Sequence, residues 1–210
     1  MKTREETWTL VILAMFIAII LLLAFTPIGF IPLPHMRATT IHIPVIIGSL
    51  LLGPKAGALL GFTFGLASLI NNTFAPGPVS FVFSPFYNLP GQESGSWLSL
   101  IVVFVPRILV GITPWYVCAG LKKLMRGRFM SVNWAVSGIV GSMTNTLLVM
   151  HFIFIFFGED WNNVRGGTTA IYAAILTIIA INGIPEAIVA GVIVAAVTGA
   201  LTVAVAKYKS

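Results

Sequence analysis

The 210 residues are 58% apolar and only 9% charged, a ratio that would leave large apolar patches in water if the chain folded as a soluble domain. What remains is an all-α integral membrane protein, with room for about six spans of roughly 20 residues and none for a soluble catalytic domain. The net charge of +6 then reports sidedness and contact with anionic lipid headgroups rather than nucleic-acid binding.

Lys2 and Arg4 form a basic start before the apolar run Trp8 to Phe25. That run is too long for a signal peptide and no small-x-small cleavage site follows it, so a retained first helix is predicted at about 7–26. Turn residues delimit a short second helix at 40–52 and a third at 54–72, with Lys55 in the tight connection between them. A fourth helix is expected at 97–125 with Pro106 and Pro114 inside it, and a fifth at 132–157. The sixth is placed at 184–206, where Pro185 suits a first helical turn. The apolar stretch 168–182 is read as a partly inserted helical lead-in, because a further span there would put Lys207 and Lys209 outside. Residues 1–210 thus form one transmembrane domain of six helices.

Threaded this way, Lys2, Arg4, Lys55, Lys122, Lys123, Arg126, Arg128, Lys207 and Lys209 share one side, with Arg37 and Arg165 opposite. The positive-inside rule makes that side, and both termini, cytoplasmic. The outer connections 27–39, 73–96 and 158–183 are rich in Pro, Gly, Asn and aromatics and are long enough to form a lid. Small residues recur every four positions at Ala14 and Ala18, at Gly57, Gly61 and Gly65, and at Ala187, Gly191, Ala195 and Gly199. Such stripes let helix backbones approach closely in lipid, and packing inside the bundle is expected for the last two.

Arg107 stands about ten residues into the fourth helix, roughly 15 Å deep at 1.5 Å per residue. An unpartnered guanidinium there costs at least about 2.5 kcal/mol, so it should face the bundle interior. Asn145, about thirteen residues up the fifth helix, comes within roughly 10 Å of the outer face and can share an outward-facing cavity with Arg107. The functional reading gives Arg107 a forked hydrogen bond to an anionic ligand and Asn145 a hydroxyl or amide of it. The competing reading is an internal ion pair of Arg107 with Glu186, the one acid embedded in a span. Asn71, Asn72 and Thr73 either line the cavity mouth or end the third helix. Phe81, Phe83, Phe86 and Tyr87 form either an aromatic lid or an interfacial belt.

His35, His42 and His151 lack metal-ligand spacing, so no metal site and no cofactor are expected; each is read as hydrogen-bonded, with His42 also placed to touch a ligand. Cys118, the single cysteine, excludes an intrachain disulfide. Glu93, Glu159 and Asp160 are solvated loop acids.

The basic start, Ala14-x-x-x-Ala18, the stretch from Thr40 through Gly48-Ser-Leu-Leu-Leu-Gly-Pro-Lys-Ala-Gly57 to Gly61, and then Phe81-Val-Phe-Ser-Pro-Phe86, Val105-Pro-Arg-Ile-Leu-Val-Gly111 and Asn182-Gly-Ile-Pro-Glu186 resemble the substrate-binding S components of energy-coupling factor (ECF) vitamin transporters. Within that family the chain is most similar to the pantothenate-type members, ahead of those for pyridoxine, hydroxymethylpyrimidine, nicotinate or folate. The resemblance implies a six-helix subunit of the prokaryotic plasma membrane that captures a vitamin from outside and works with a membrane T component and two ATPases. It also implies that Ala14 and Ala18 dock on the T component. Pantothenate, with one carboxylate, two hydroxyls and an amide, suits the Arg107 and Asn145 pair. No G-x-x-x-x-G-K-[ST] segment occurs, so ATP hydrolysis is expected from partners. An intramembrane enzyme would need a nucleophile with its base, paired carboxylates or metal ligands at depth, and the sequence offers none of these groupings. A purely structural adaptor would not need Arg107 and Asn145.

Overall fold

A computed structural model describes residues 2–32, 37–88, 95–164 and 170–209. His35, Glu93 and Arg165 lie outside the described residues. The order is α1 Lys2–Phe25, a short hairpin of β1 Phe30–Pro32 and β2 Arg37–Thr39, α2 His42–Leu52, α3 Pro54–Phe74, α4 Leu98–Leu124, α5 Met130–Val164, α6 Ile171–Ile178 and α7 Ile184–Lys209. Four helical stretches are long and apolar enough to cross a membrane: Glu6–Phe25, Leu98–Leu124, Met130–Val164 and Ile171–Val203. The hairpin, with Phe30 opposite Thr39, occupies part of a connection read from sequence as loop.

The eleven residues of α2 span only about 16 Å, short of a bilayer's hydrocarbon thickness. Every residue from His42 to Ser49 is buried, so α2 is a core helix wrapped by its neighbours rather than by lipid. Gly53, with φ +93°, ends it in the left-handed region where a side chain would be strained, and Pro54 opens α3 at once.

The glycine stripe of α3 is an internal seam against α4. A Cβ on Gly57 would meet the carbonyl of Gly111, one on Gly61 the carbonyl of Arg107, and one on Gly65 the ring of Phe104. The α7 stripe is likewise internal, with Gly191 against Ala135 and Ile139 of α5 and Gly199 against Trp134. By contrast, Ala14 and Ala18 lie on an exposed face of α1, the least covered of the four long spans.

Two helix limits differ from the sequence reading. The fifth helix continues past 157 to Val164, although Phe157 itself leaves helical geometry (φ −136°, ψ 16°), so the expected end is a kink before Gly158. α7 starts at Ile184 with Pro185 in its first turn, as expected, but no break precedes it. The lead-in is the helix α6, and a π-helical turn, Ile179–Gly183, carries it without interruption into α7. A proline ring clashes with the carbonyl four residues back, and the wider turn absorbs that conflict.

Candidate functional site

Arg107 is 6% exposed, on the face of α4 that also buries Val103 and Val110. Its guanidinium carbon lies over two rings, 5.4 Å from the Phe64 centroid and 5.1 Å from that of Phe83. Gly61 makes this possible, because its missing side chain brings α3 onto the Arg107 backbone and sets Phe64, one turn on, beside the guanidinium. One edge of the cation is engaged by Nη1 donating to the Val102 carbonyl at 2.8 Å, while Nε is buried without an acceptor. No carboxylate meets Arg107 among the described residues.

The internal ion pair with Glu186 is therefore not formed. Glu186 instead faces His42, with Oε1 3.4 Å from Nδ1 across the α2 and α7 contact. His42 is fully buried with no hydrogen-bond partner on either ring nitrogen, a core residue rather than the hydrogen-bonded interfacial one expected. Glu186 lies three residues past the π-turn, on the part of α7 that packs toward the start of α2.

Asn145 stands between two engaged neighbours on α5. Thr144 shares a 3.3 Å hydroxyl contact with Thr113 of α4, and Thr146 lies where a Cβ on Gly183 would touch it. The Asn145 Oδ1 is buried and accepts nothing. Among the described residues, Arg107 Nε and Asn145 Oδ1 are two of several buried side-chain atoms without hydrogen-bond partners, alongside both ring nitrogens of His42 and polar atoms of Ser99, Asn133, Ser142 and Thr198. Buried polar groups are normally satisfied, and the exceptions mark ligand or catalytic positions.

The outer aromatics divide between two tasks. Phe83 covers Arg107, whereas Phe81 is buried edge-on against Phe157 at 5.9 Å, in the α5 kink. A cavity of about 150 Å³ opens there, lined by Phe81, Tyr87, Gly95, Ser96, Phe156, Phe157 and Asp160. Its lining includes neither Arg107 nor Asn145. Phe86 is exposed and packs edge-on against Trp97 at 6.2 Å. Asn72 is a latch for this segment, accepting a 2.8 Å hydrogen bond from Ser80, and Thr73 shares one of 2.7 Å with Ser84. Asn71 reaches the Ala24 carbonyl of α1 at 3.5 Å, and its own carbonyl takes the Ala75 N–H that ends α3. His151 Nδ1 lies 2.7 Å from the Leu147 carbonyl.

Sequence reasoning missed Phe64 and the Val102 carbonyl. The signal for Phe64 was its place between Gly61 and Gly65, on the tight side of α3. For Val102 it was the proline four residues later.

The family model for the substrate-specific component of ECF transporters matches residues 9–198. A pantothenic acid transporter of Lactococcus lactis subsp. cremoris is 38% identical over 202 residues, covering 95% of this chain and 96% of the relative. A pantothenate transporter of Leuconostoc mesenteroides subsp. mesenteroides is 29% identical over 216 residues, 98% of this chain and 97% of its own.

Proposed function

The chain belongs to the substrate-specific components of ECF transporters, and from that premise we propose that its ligand is pantothenate, taken from outside the cell for ATP-driven import. The observation that carries this is a buried Arg107 that meets no carboxylate among the described residues and keeps an unpartnered Nε donor; Asn145 on α5, with an unpartnered Oδ1, is the second group. Pantothenate supplies both complements, a planar carboxylate for the guanidinium and a hydroxyl or amide N–H for Oδ1. Two relatives matched over nearly their whole length are transporters of that compound. Neutral pyridoxine or hydroxymethylpyrimidine would leave Arg107 uncompensated.

In this reading Phe83 moves off Arg107 as the carboxylate arrives, and Phe81 and Tyr87 close over the rest of the ligand. Asn72 holds the lid segment to α3, Asn71 ties α3 to α1, and the His42 and Glu186 contact braces α2 against α7 beneath the site. The subunit carries out no chemistry on its ligand. Energy comes from two ATPases through a membrane T component, against which the exposed Ala14 and Ala18 face packs. The subunit sits in the cell membrane as one domain of six crossings with both termini cytoplasmic. Four crossings are the long apolar stretches, α3 with its 21 residues is a fifth by length alone, and α2 makes the sixth by being sheathed in protein, where a short element is tolerated.

Titration of the purified subunit with pantothenate, pyridoxine, hydroxymethylpyrimidine, nicotinate and folate tests the assignment. Pantothenate should bind most tightly, and a tighter complex with any of the others would replace it.

A further inference from the structure

We propose that Pro106 is a positioning residue for the ligand's carboxylate, acting through the backbone carbonyl that it frees at Val102. The inference rests on the reading of Arg107 as the carboxylate's donor. A proline has no N–H, so the carbonyl four residues before it loses its helical partner. For Pro106 that carbonyl belongs to Val102, which is fully buried. Inside a span there is no water to satisfy it, and another donor has to be found. Arg107 is that donor, with Nη1 at 2.8 Å.

The bond does more than satisfy the carbonyl. It fixes one edge of a planar cation that also lies over the rings of Phe64 and Phe83. The unpartnered Nε is buried beneath Phe83, and once that ring moves off, the Nε edge is the one left for a carboxylate's forked pair. An alanine at 106 would return an N–H to the Val102 carbonyl and remove the ring that pushes that carbonyl off the helix. The charge would remain, but its plane would no longer be set. Pro114 is an internal control: it frees the Val110 carbonyl in the same helix, and among the described residues no side chain donates to that oxygen.

The test is calorimetric titration of the detergent-purified subunit with pantothenate and with pantothenol, its analogue bearing an alcohol in place of the carboxylate. Pro106→Ala should weaken pantothenate roughly tenfold, the size of one hydrogen bond to a charged group, and leave pantothenol unchanged. Pro114→Ala should not alter the ratio between the two ligands. In an Arg107→Ala background, Pro106→Ala should cost nothing further. Equal weakening of both ligands, an undiminished loss in the Arg107→Ala background, or unchanged pantothenate binding by Pro106→Ala would each overturn the positioning role. If Arg107→Ala alone binds pantothenate as well as wild type, the carboxylate assignment itself fails and the positioning role with it. Pro106→Gly restores the same N–H and is read in the same way if the alanine variant is not monodisperse.

Discussion

A guanidinium enclosed in a membrane bundle is stable only if its charge and its donors are met, and Arg107 meets them partially. Two aromatic faces and one carbonyl are in place, and one buried N–H is held in reserve. Arg107→Ala should therefore cost at least about 1.5 kcal/mol of pantothenate binding, the low end for a charged hydrogen bond, measured by titration. Arg107→Lys should fall between the two, because an ammonium keeps the charge but has no planar fork. Glu186→Gln should restore nothing to Arg107→Ala, since that carboxylate faces His42. The burial of Arg107 was legible in the sequence, as a charge with apolar residues on both sides. Its surroundings were not: Phe64 and Phe83 come from other segments, and Glu186 faces His42 across a contact between α2 and α7 that are far apart in sequence.

Among the helices, the same four-residue spacing of small side chains serves two ends. On α3 and α7 it closes internal seams, and on α1 it lies exposed. Gly61→Val would set a side chain into the Arg107 carbonyl, forcing α3 and α4 apart at the site. The expected loss is about 1–3 kcal/mol of stability, seen as a lower melting temperature in detergent, with weaker ligand binding as Phe64 retreats. Replacing Ala14 and Ala18 together by Leu should leave ligand binding by the isolated subunit intact, while co-purification with the T component and uptake are lost. Unchanged uptake would mean that another face of α1, or none, is used. Spacing alone cannot separate a seam from a docking face, because both need small residues. Burial separates them. Helix limits were readable where a Gly-Pro junction marks them, as at 53–54, but not at 171–184, where proline reads as a start and is accommodated inside a longer helix.

At the scale of the whole chain, composition alone gives the class, and charge sidedness gives an orientation that a direct measurement can check. On a background lacking Cys118, a cysteine at Ser131, in the first turn of α5, should resist an impermeant thiol reagent added to intact cells, and one at Ser96 should react. The reverse pattern would invert the subunit. Two questions decide the subunit's role: which molecule it holds, and whether Arg107 holds it. Native mass spectrometry of the gently purified wild type and of a folded, monodisperse Arg107→Ala variant addresses both at once. The wild type should carry an adduct with the mass of pantothenate and the variant should not; a different vitamin on the wild type, or the same adduct retained by the variant, would contradict the account.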